Sequence, residues 1–498
     1  MLFPTGEFLF VYLPITVGMF FLIARLAGPR AAAAWLMLAS LFFYSFWRPV
    51  HVLLLVASIV FNYCAGGMIL RAREGGDPLA PRRVLTFVIG TNLAVLAYFK
   101  YSNFLIATLN DLTALNIPTL DVALPIGISF FTFTQIAYLA DVYAGKAVER
   151  SPVRYSLFVT YFPHLVAGPV LHHAQMMPQF REERVYRPEL RNFTIGIAFL
   201  ALGLIKKVLI ADSFAPIAND VFGAAGGGNL PTETAWRGIL AYTMQIYFDF
   251  SGYSDMAVGL SMLIGVRLPY NFDSPYKSTS IVDFWRRWHM TLSAFLRDYL
   301  YIALGGNRKG KARRYVNLLL TMVLGGLWHG ASWTFVIWGA LHGMYLMVNH
   351  GWRFAVSRFR TSDQPGNPLA SFVGRALASA LTLLCVVVAW VLFRADSVHS
   401  AMNLLTSMFS VGTFPDSAPE PHHMVQWIWL AVFMVIVKVL PNSQEIVDGW
   451  LTRCLSVISA ARARPLMGLL VGAGVVIVAL MAMISESRSV TEFIYFNF

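Results

Sequence analysis

Charged side chains are scarce in this sequence, and their scarcity excludes an ordinary soluble globule. Only 13% of the 498 residues are Asp, Glu, Lys or Arg, whereas soluble domains carry roughly 25%. Hydrophobic residues make up 57% of the chain. Apolar runs close to the ~20 residues that cross a bilayer recur along it, for example at 8–23, 53–70 and 466–484. The sequence therefore predicts an all-helical, multi-spanning membrane protein with roughly ten to thirteen crossing or re-entrant segments.

Cysteine is also rare, which leaves no basis for a disulfide or zinc framework. Cys64, Cys385 and Cys454 each lie in an apolar segment, without the spacing of metal ligands. We therefore expect three small core residues and no bound metal. The first apolar run has no Lys or Arg before it and no small-residue cleavage site after it. It is expected to remain as a membrane helix and not to act as a signal peptide.

Lys and Arg are absent between Tyr101 and Gly145 but are concentrated in other connections. Residues 71–83 contain four arginines, and residues 305–315 contain five Lys or Arg residues. Because cytoplasmic loops are enriched in these residues, both connections are expected in the cytoplasm and residues 111–121 outside. Three apolar segments precede the first basic loop, so the N-terminus is expected outside. This distribution also explains the net charge of +12 without a nucleic-acid partner.

The interruptions between apolar segments are short, and no internal repeat is visible. The polar or glycine-rich stretches at 222–234, 361–368 and 412–421 are too short to hold a soluble domain. The sequence therefore predicts a single integral membrane domain over residues 1–498, with its chemistry among the helices.

Residues 280–303 combine an aromatic stripe with a polar one at helical spacing. The polar stripe contains Arg286, His289, Ser293 and Arg297. Two such stripes predict an amphipathic helix that lies near the membrane interface or along a polar cavity. His289 either faces headgroups and water or takes part in chemistry.

Residues 316–348 form an apolar run that is too long for one ordinary span, so a hairpin or broken helix is expected. Glycines in its middle flank His329. An ionisable side chain deep in a membrane is costly unless it faces a cavity or a partner, which makes His329 a candidate functional residue. The alternative is a neutral imidazole that hydrogen-bonds two helices. His342 would face away from His329 on a continuous helix and is expected to be a packing residue unless the segment breaks.

At these residues the sequence resembles the membrane-bound O-acyltransferase family. The resemblance is to the branch that acetylates alginate and bacterial cellulose or D-alanylates teichoic acids. It implies a ring of transmembrane helices around a thinned central tunnel, with re-entrant and interfacial helices. The segments that carry it lie within a motif core of about 124–348 and are QIYFDFSGYSD (245–255), PYNFDSP (269–275), DFWRRWHMTLS (283–293), RDYLY (297–301) and LWHGASW (327–333).

The resemblance also implies an activity and a site. The family's essential histidine corresponds to His329 and its second motif histidine to His289. The implied donor substrate is a cytoplasmic acyl thioester such as acetyl-coenzyme A, with no permanently bound cofactor. Neutral imidazole has a reference pKa of about 6.5, so His329 is expected to act as the base, with His289 orienting the donor or sharing the proton. Arg286, Arg287 and Arg297 are expected to attract a phosphate-bearing donor.

The resemblance implies the chemical class of the acceptor and of the partner protein but not their identities. A composition rich in Arg and Ala suggests a GC-rich bacterium, which favours acetylation of an exopolysaccharide such as alginate or cellulose, with peptidoglycan or another surface glycan left open. This branch usually passes its acyl group to a separate enzyme, which implies a periplasmic SGNH-type acetyltransferase partner and an inner-membrane location. A transporter or flippase is the alternative function, because broken helices and deep ionisable residues also occur in transporters.

The last residues of the sequence, 492–498, form an aromatic tail around Tyr495. Tyr and Phe are common anchors at membrane interfaces, which gives the tail a purely structural interpretation. Similar endings in the resembling branch raise a second hypothesis, in which Tyr495 carries the acyl group.

Overall fold

The computed structural model describes all residues except 114, 360–367, 411–420, 459, 488–492 and 495–498. Within the described residues the regular structure is helical and contains no β-strand, so the predicted all-α class is confirmed. Seven of the described helices are long and apolar enough to cross a membrane, which confirms a multi-pass membrane protein. They are Glu7–Ala27, Pro49–Glu74, Ala80–Thr113, Leu190–Gly227, Ser371–Arg394, Pro421–Val439 and Ala463–Ser487. The estimate of ten to thirteen segments, which included re-entrant ones, stays a prediction.

The α-helices of the described chain are numbered here in sequence order. They are α1 (Leu13–Ala27), α2 (Pro29–Ser45), α3 (Pro49–Glu74), α4 (Ala80–Thr113), α5 (Ile128–Tyr143), α6 (Pro152–Thr160), α7 (Phe162–Leu165), α8 (His173–Met176), α9 (Leu190–Leu204), α10 (Asp212–Ala224), α11 (Thr232–Leu263), α12 (Ile281–Arg287), α13 (Met290–Phe295), α14 (Lys311–His329), α15 (Trp333–Phe359), α16 (Pro368–Arg394), α17 (Val398–Phe409), α18 (Pro421–Val439), α19 (Thr452–Val457) and α20 (Ala460–Ser487). Proline opens α2, α3 and α6, where its missing N–H costs no helical hydrogen bond.

The chain divides into two compact units. The first comprises Met1–Val208, Ser251–Tyr270 and Ser443–Asn497, and the second comprises Leu209–Phe250 and Asn271–Asn442, together with the terminal residue. The single domain expected over residues 1–498 stays a prediction, as does the ring of helices around a tunnel.

In the first unit, small residues let two helices approach closely. A Cβ atom on Gly203 of α9 would lie 2.6 Å from the carbonyl oxygen of Gly252 on α11. One on Gly259 would lie 2.6 Å from the carbonyl oxygen of Gly196. Glycine at these positions therefore permits the backbone contact that membrane helices use in place of a hydrophobic driving force.

In the second unit, α14 and α15 form a hairpin, which confirms the predicted break in residues 316–348. The helix ends at His329, and Gly330 continues in an extended conformation before α15 starts at Trp333. A Cβ atom on Gly326 would lie 2.2 Å from the carbonyl oxygen of Phe335, and one on Gly339 would lie 2.3 Å from that of Met322. Gly326, one of the glycines that suggested a break, and Gly339 thus allow the two arms to pack closely.

The single amphipathic helix expected over residues 280–303 is wrong. The chain breaks between α12 and α13, where His289 has a left-handed backbone with φ of 43°. The break is held by backbone hydrogen bonds to a distant segment. The N–H of Met290 donates to the carbonyl of Asn271 (2.9 Å), and the N–H of Asp273 donates to that of Arg287 (3.0 Å). These tertiary hydrogen bonds override the helical periodicity of the sequence.

Candidate active site

His289 lies in the interior of the second unit, at the break between α12 and α13. Its side chain is fully buried, so the interpretation in which it faces headgroups or water does not hold. The preceding helix, α12, is capped by Ser280, whose hydroxyl accepts a hydrogen bond from the N–H of Asp283. The left-handed backbone then turns the imidazole into the interior, where it meets the ring of Phe250 edge-on at 4.7 Å between centroids. Such backbone geometry is rare outside glycine and is often found at functional sites.

Asn271 orients the His289 ring. The Nδ1 atom of His289 lies 3.3 Å from the Oδ1 atom of Asn271, which also accepts a 2.6 Å hydrogen bond from the hydroxyl of Thr291. An amide oxygen can only accept, so this contact assigns the proton to Nδ1 in the neutral ring. The other nitrogen, Nε2, is then the basic one. The backbone carbonyl of Asn271 holds the same turn through Met290.

His329 ends α14 and lies against an aromatic wall. Its ring centroid is 5.0 Å from Trp328, 5.2 Å from Trp338 and 5.2 Å from Phe393. The residue is only 4% exposed. A Cβ atom on the next residue, Gly330, would lie 2.1 Å from the Phe335 ring, so glycine is required for this packing. Aromatic walls of this kind exclude water and strengthen electrostatic interactions inside a site.

The two motif histidines lie close together. The ring centroids of His289 and His329 are 6.4 Å apart, with an interplanar angle of 54°. Two imidazoles at this separation can act on one small group placed between them. The fold therefore brings together two residues that are forty positions apart in the sequence.

His342 also lies in this region, because the hairpin turns α15 back along α14. Its ring packs on Trp338 at 4.8 Å, and the indole N–H of Trp285 donates to its Nδ1 atom at 3.2 Å. Trp338 thus contacts the rings of both His329 and His342. Because the segment breaks, His342 does not face away from His329 as it would on a continuous helix, and its packing role stays a prediction.

The arginines expected to attract a donor have different surroundings. Arg286 is exposed, whereas Arg287 pairs with Asp283 at 3.0 Å and with Asp273 at 3.3 Å. Arg297 pairs with Asp298 at 2.7 Å, and this hydrogen bond raises the pKa of the Arg297 guanidinium. Two of the three cations are therefore already balanced by carboxylates of the chain itself. Their role in binding a donor stays a prediction.

Several residues around the histidines were not identified from the sequence as parts of the site. Asn271 lies in one of the quoted motif segments, which was the signal that could have found it. Phe393 comes from α16, beyond the motif core, and no local pattern marked it. The third predicted site residue, Tyr495, lies outside the described residues.

The fold and the site together define a polytopic, all-helical membrane protein with two buried histidines side by side. Residues 84–389 match the membrane-bound O-acyltransferase family, MBOAT. The chain belongs to this family and is an O-acyltransferase, which confirms the resemblance inferred from the motifs.

The similar proteins include enzymes that act on different surface polymers. The chain is 41% identical over 436 residues to a peptidoglycan O-acetyltransferase of Helicobacter pylori, covering 82% of this chain and 80% of that protein. It is 44% identical over 418 residues to a protein of Pseudomonas putida named probable alginate O-acetylase, covering 83% of this chain and 81% of that protein. A teichoic acid D-alanyltransferase of Streptococcus thermophilus is 30% identical over 244 residues, which cover 46% of this chain and 57% of that protein.

Proposed function

We propose that the protein transfers an acetyl group from a cytoplasmic thioester, acetyl-coenzyme A, for O-acetylation of an exopolysaccharide such as alginate or cellulose. The observation that carries this proposal is the buried pair of His289 and His329, with ring centroids 6.4 Å apart, in two segments that resemble family motifs. The two relatives above with more than 40% identity are named as O-acetyl-transferring proteins, which supports acetyl over D-alanyl transfer. They leave peptidoglycan as a second acceptor.

His329 serves as the general base in the proposed reaction. It accepts the proton of the acceptor hydroxyl while the hydroxyl oxygen attacks the thioester carbonyl carbon. The C–S bond then breaks, and the thiolate leaves and takes up the proton that His329 holds. His289, with its proton held on Nδ1 by Asn271, has an unprotonated Nε2 that can accept a hydrogen bond from the thioester donor or share the proton that His329 takes up.

The acceptor in this step is either the polysaccharide itself or a carrier that passes the acetyl group onward. Tyr495 is proposed as such a carrier, and a periplasmic SGNH-type acetyltransferase as the partner that receives the group. Both proposals rest on the resemblance to the branch and not on a described contact. The lipid bilayer is a further partner, because the protein is a multi-pass membrane protein.

The proposed donor can be tested with protein purified and reconstituted in lipid vesicles. We expect the wild-type protein to convert acetyl-coenzyme A to free coenzyme A in the presence of an acceptor glycan, with release of thiol as the measurement. The His342→Gln variant, changed at a buried histidine outside the proposed pair, is the matched control and is expected to retain activity. A transporter or flippase would move its substrate without consuming the thioester. Absence of thiol release from an intact, folded wild-type protein would contradict the acyltransfer proposed here.

The proposed topology places the N-terminus outside the inner membrane. Gly76 and Lys309 are then cytoplasmic and Thr119 is external, as the distribution of Lys and Arg requires. Single cysteines at these positions, in a background without the three native cysteines, are to be treated with a membrane-impermeant thiol reagent on intact spheroplasts. We expect labelling at position 119 alone and labelling at all three after lysis. The reverse pattern, with position 76 labelled and 119 protected, would require the opposite orientation.

A further inference from the structure

A cavity of about 590 Å³ opens in the first unit, and most of its charge is positive. Its lining includes Arg30, Arg150, Arg154 and Arg181, and the carboxylate among its described lining residues is Glu183. That carboxylate already pairs with Arg187 at 3.2 Å. A cavity of about 660 Å³ shares part of this lining and adds Arg25 and Arg187. Arginine is thus the main charged residue over both cavities.

Two of the four arginines, Arg154 and Arg181, lie close to one buried carboxylate, that of Glu149. The side chain of Glu149 is only 1% exposed, and its oxygens lie 3.2 Å from Arg154 and 3.9 Å from Arg181. The Nε2 atom of His173 lies 3.8 Å from the same carboxylate. Burial opposes ionisation of Glu149, yet the nearby His173, the hydrogen bond from the N–H of Ser151 and the charge of Arg154 hold the pKa of its carboxyl below the usual value.

This arrangement leaves an excess of positive charge at the cavity wall. One carboxylate balances only one of two guanidinium groups, and the side chains of Arg154 and Arg181 remain 35% and 55% exposed. Both guanidinium groups line the cavity and are partly exposed there. Arg30 and Arg150, both exposed, add two further charges to the same lining.

The N-terminus of α6 adds a partial positive charge at the same wall. Ser151 caps this nine-residue helix, with its hydroxyl accepting from the N–H of Arg154, and Ser151 and Val153 line the cavity. Helix N-termini attract anions because their first N–H groups and the helix dipole point outward. Arginine also binds phosphate bidentately, with a planar fork of donors that lysine lacks.

We propose that this cavity binds a phosphate-bearing ligand through Arg30, Arg150, Arg154 and Arg181. Its volume lies within the range of about 300 to 1,000 Å³ that is usual for small-molecule sites. The phosphate has two possible sources, a soluble phosphate ester such as coenzyme A or the headgroup of an anionic phospholipid. The assignment rests on the cavity and its charges, and it stands or falls independently of the proposed acyl transfer.

The test measures binding by the full-length protein and requires no activity. Arg30→Gln/Arg150→Gln removes the two exposed arginines that lie outside the Glu149 cluster, so folding is expected to be preserved. Arg71→Gln/Arg82→Gln removes the same charge from exposed positions outside the cavity and serves as the matched control. Coenzyme A is titrated by calorimetry into protein in phosphatidylcholine nanodiscs. Retention of phosphatidylglycerol is measured by native mass spectrometry in detergent.

We expect one of the two probes to bind the wild type and the control variant at a single site. Loss of two charge-assisted contacts is expected to weaken that binding by about 10- to 100-fold in the cavity variant. Weakened coenzyme A binding assigns the site to a soluble phosphate ester, and loss of phosphatidylglycerol assigns it to a lipid headgroup. The proposal is overturned if the cavity variant and the control bind both probes as the wild type does, or if the wild type binds neither.

Discussion

Replacing His329 with alanine is expected to reduce acylation of the glycan by roughly 10² to 10⁴, the usual cost of removing a general base. The alanine leaves the aromatic wall of Trp328, Trp338 and Phe393 in place and removes only the imidazole that would accept the hydroxyl proton. The measurement is the rate of thioester consumption by purified protein at matched amounts. The His289→Ala variant is also expected to lose most of its acylation activity, because the second imidazole of the pair is lost.

The control for this result is a histidine in the same aromatic region. His342 is buried, packs on Trp338 as His329 does, and accepts a hydrogen bond from Trp285. His342→Gln keeps a polar side chain there and is expected to leave the rate close to that of the wild type. Yield from the membrane and melting temperature in detergent separate a folding defect from a chemical one. If a well-folded His329→Ala protein retained near-normal acylation, His329 would be a packing residue and the proposed reaction would lose its base.

Replacing Tyr495 with phenylalanine is expected to abolish acylation of the glycan while preserving insertion in the membrane. Phenylalanine keeps the aromatic anchor and removes only the hydroxyl. A phenol with a pKa near 10 is a poor nucleophile at neutral pH, so it needs a base such as His329 to take its proton. The aryl ester that forms is reactive enough to pass its acyl group to a second acceptor, which divides the transfer across the membrane into two steps.

Two measurements test the role of Tyr495. Mass spectrometry of wild-type protein incubated with donor but without acceptor is expected to show an acyl adduct on Tyr495. Glycan acylation is then compared between Tyr495→Phe and Tyr98→Phe, which removes an exposed phenol from α4 and is expected to have no effect. Wild-type acylation by the Tyr495→Phe protein would leave the tail as a membrane anchor only.

Local patterns were sufficient to predict an all-helical membrane protein and to mark His329 as a candidate functional residue. Membrane crossing depends on the length and polarity of continuous segments, and both can be counted along the chain. The break in residues 316–348 was also predictable, because glycines and one histidine interrupt an apolar run that is too long for one span. The aromatic wall around His329 could not be predicted from the sequence, because Phe393 comes from α16 and is brought to the site only by packing.

Composition and the lengths of the apolar runs determined that this is an all-helical membrane protein, and the resemblance of its motifs to a known family implied the O-acyltransferase activity and the two motif histidines. Only the tertiary structure decided how His289 is presented. Its spacing fits a continuous amphipathic helix, yet hydrogen bonds between residues 271–273 and the α12–α13 turn impose a left-handed backbone and bury the ring. The spacing of polar and apolar residues reflects only the conformational preferences of residues that are close together in one segment of the chain. Hydrogen bonds between segments that are distant in the chain add energies that no local pattern contains, so the orientation of His289 by Asn271 and its 6.4 Å spacing from His329 required the folded molecule.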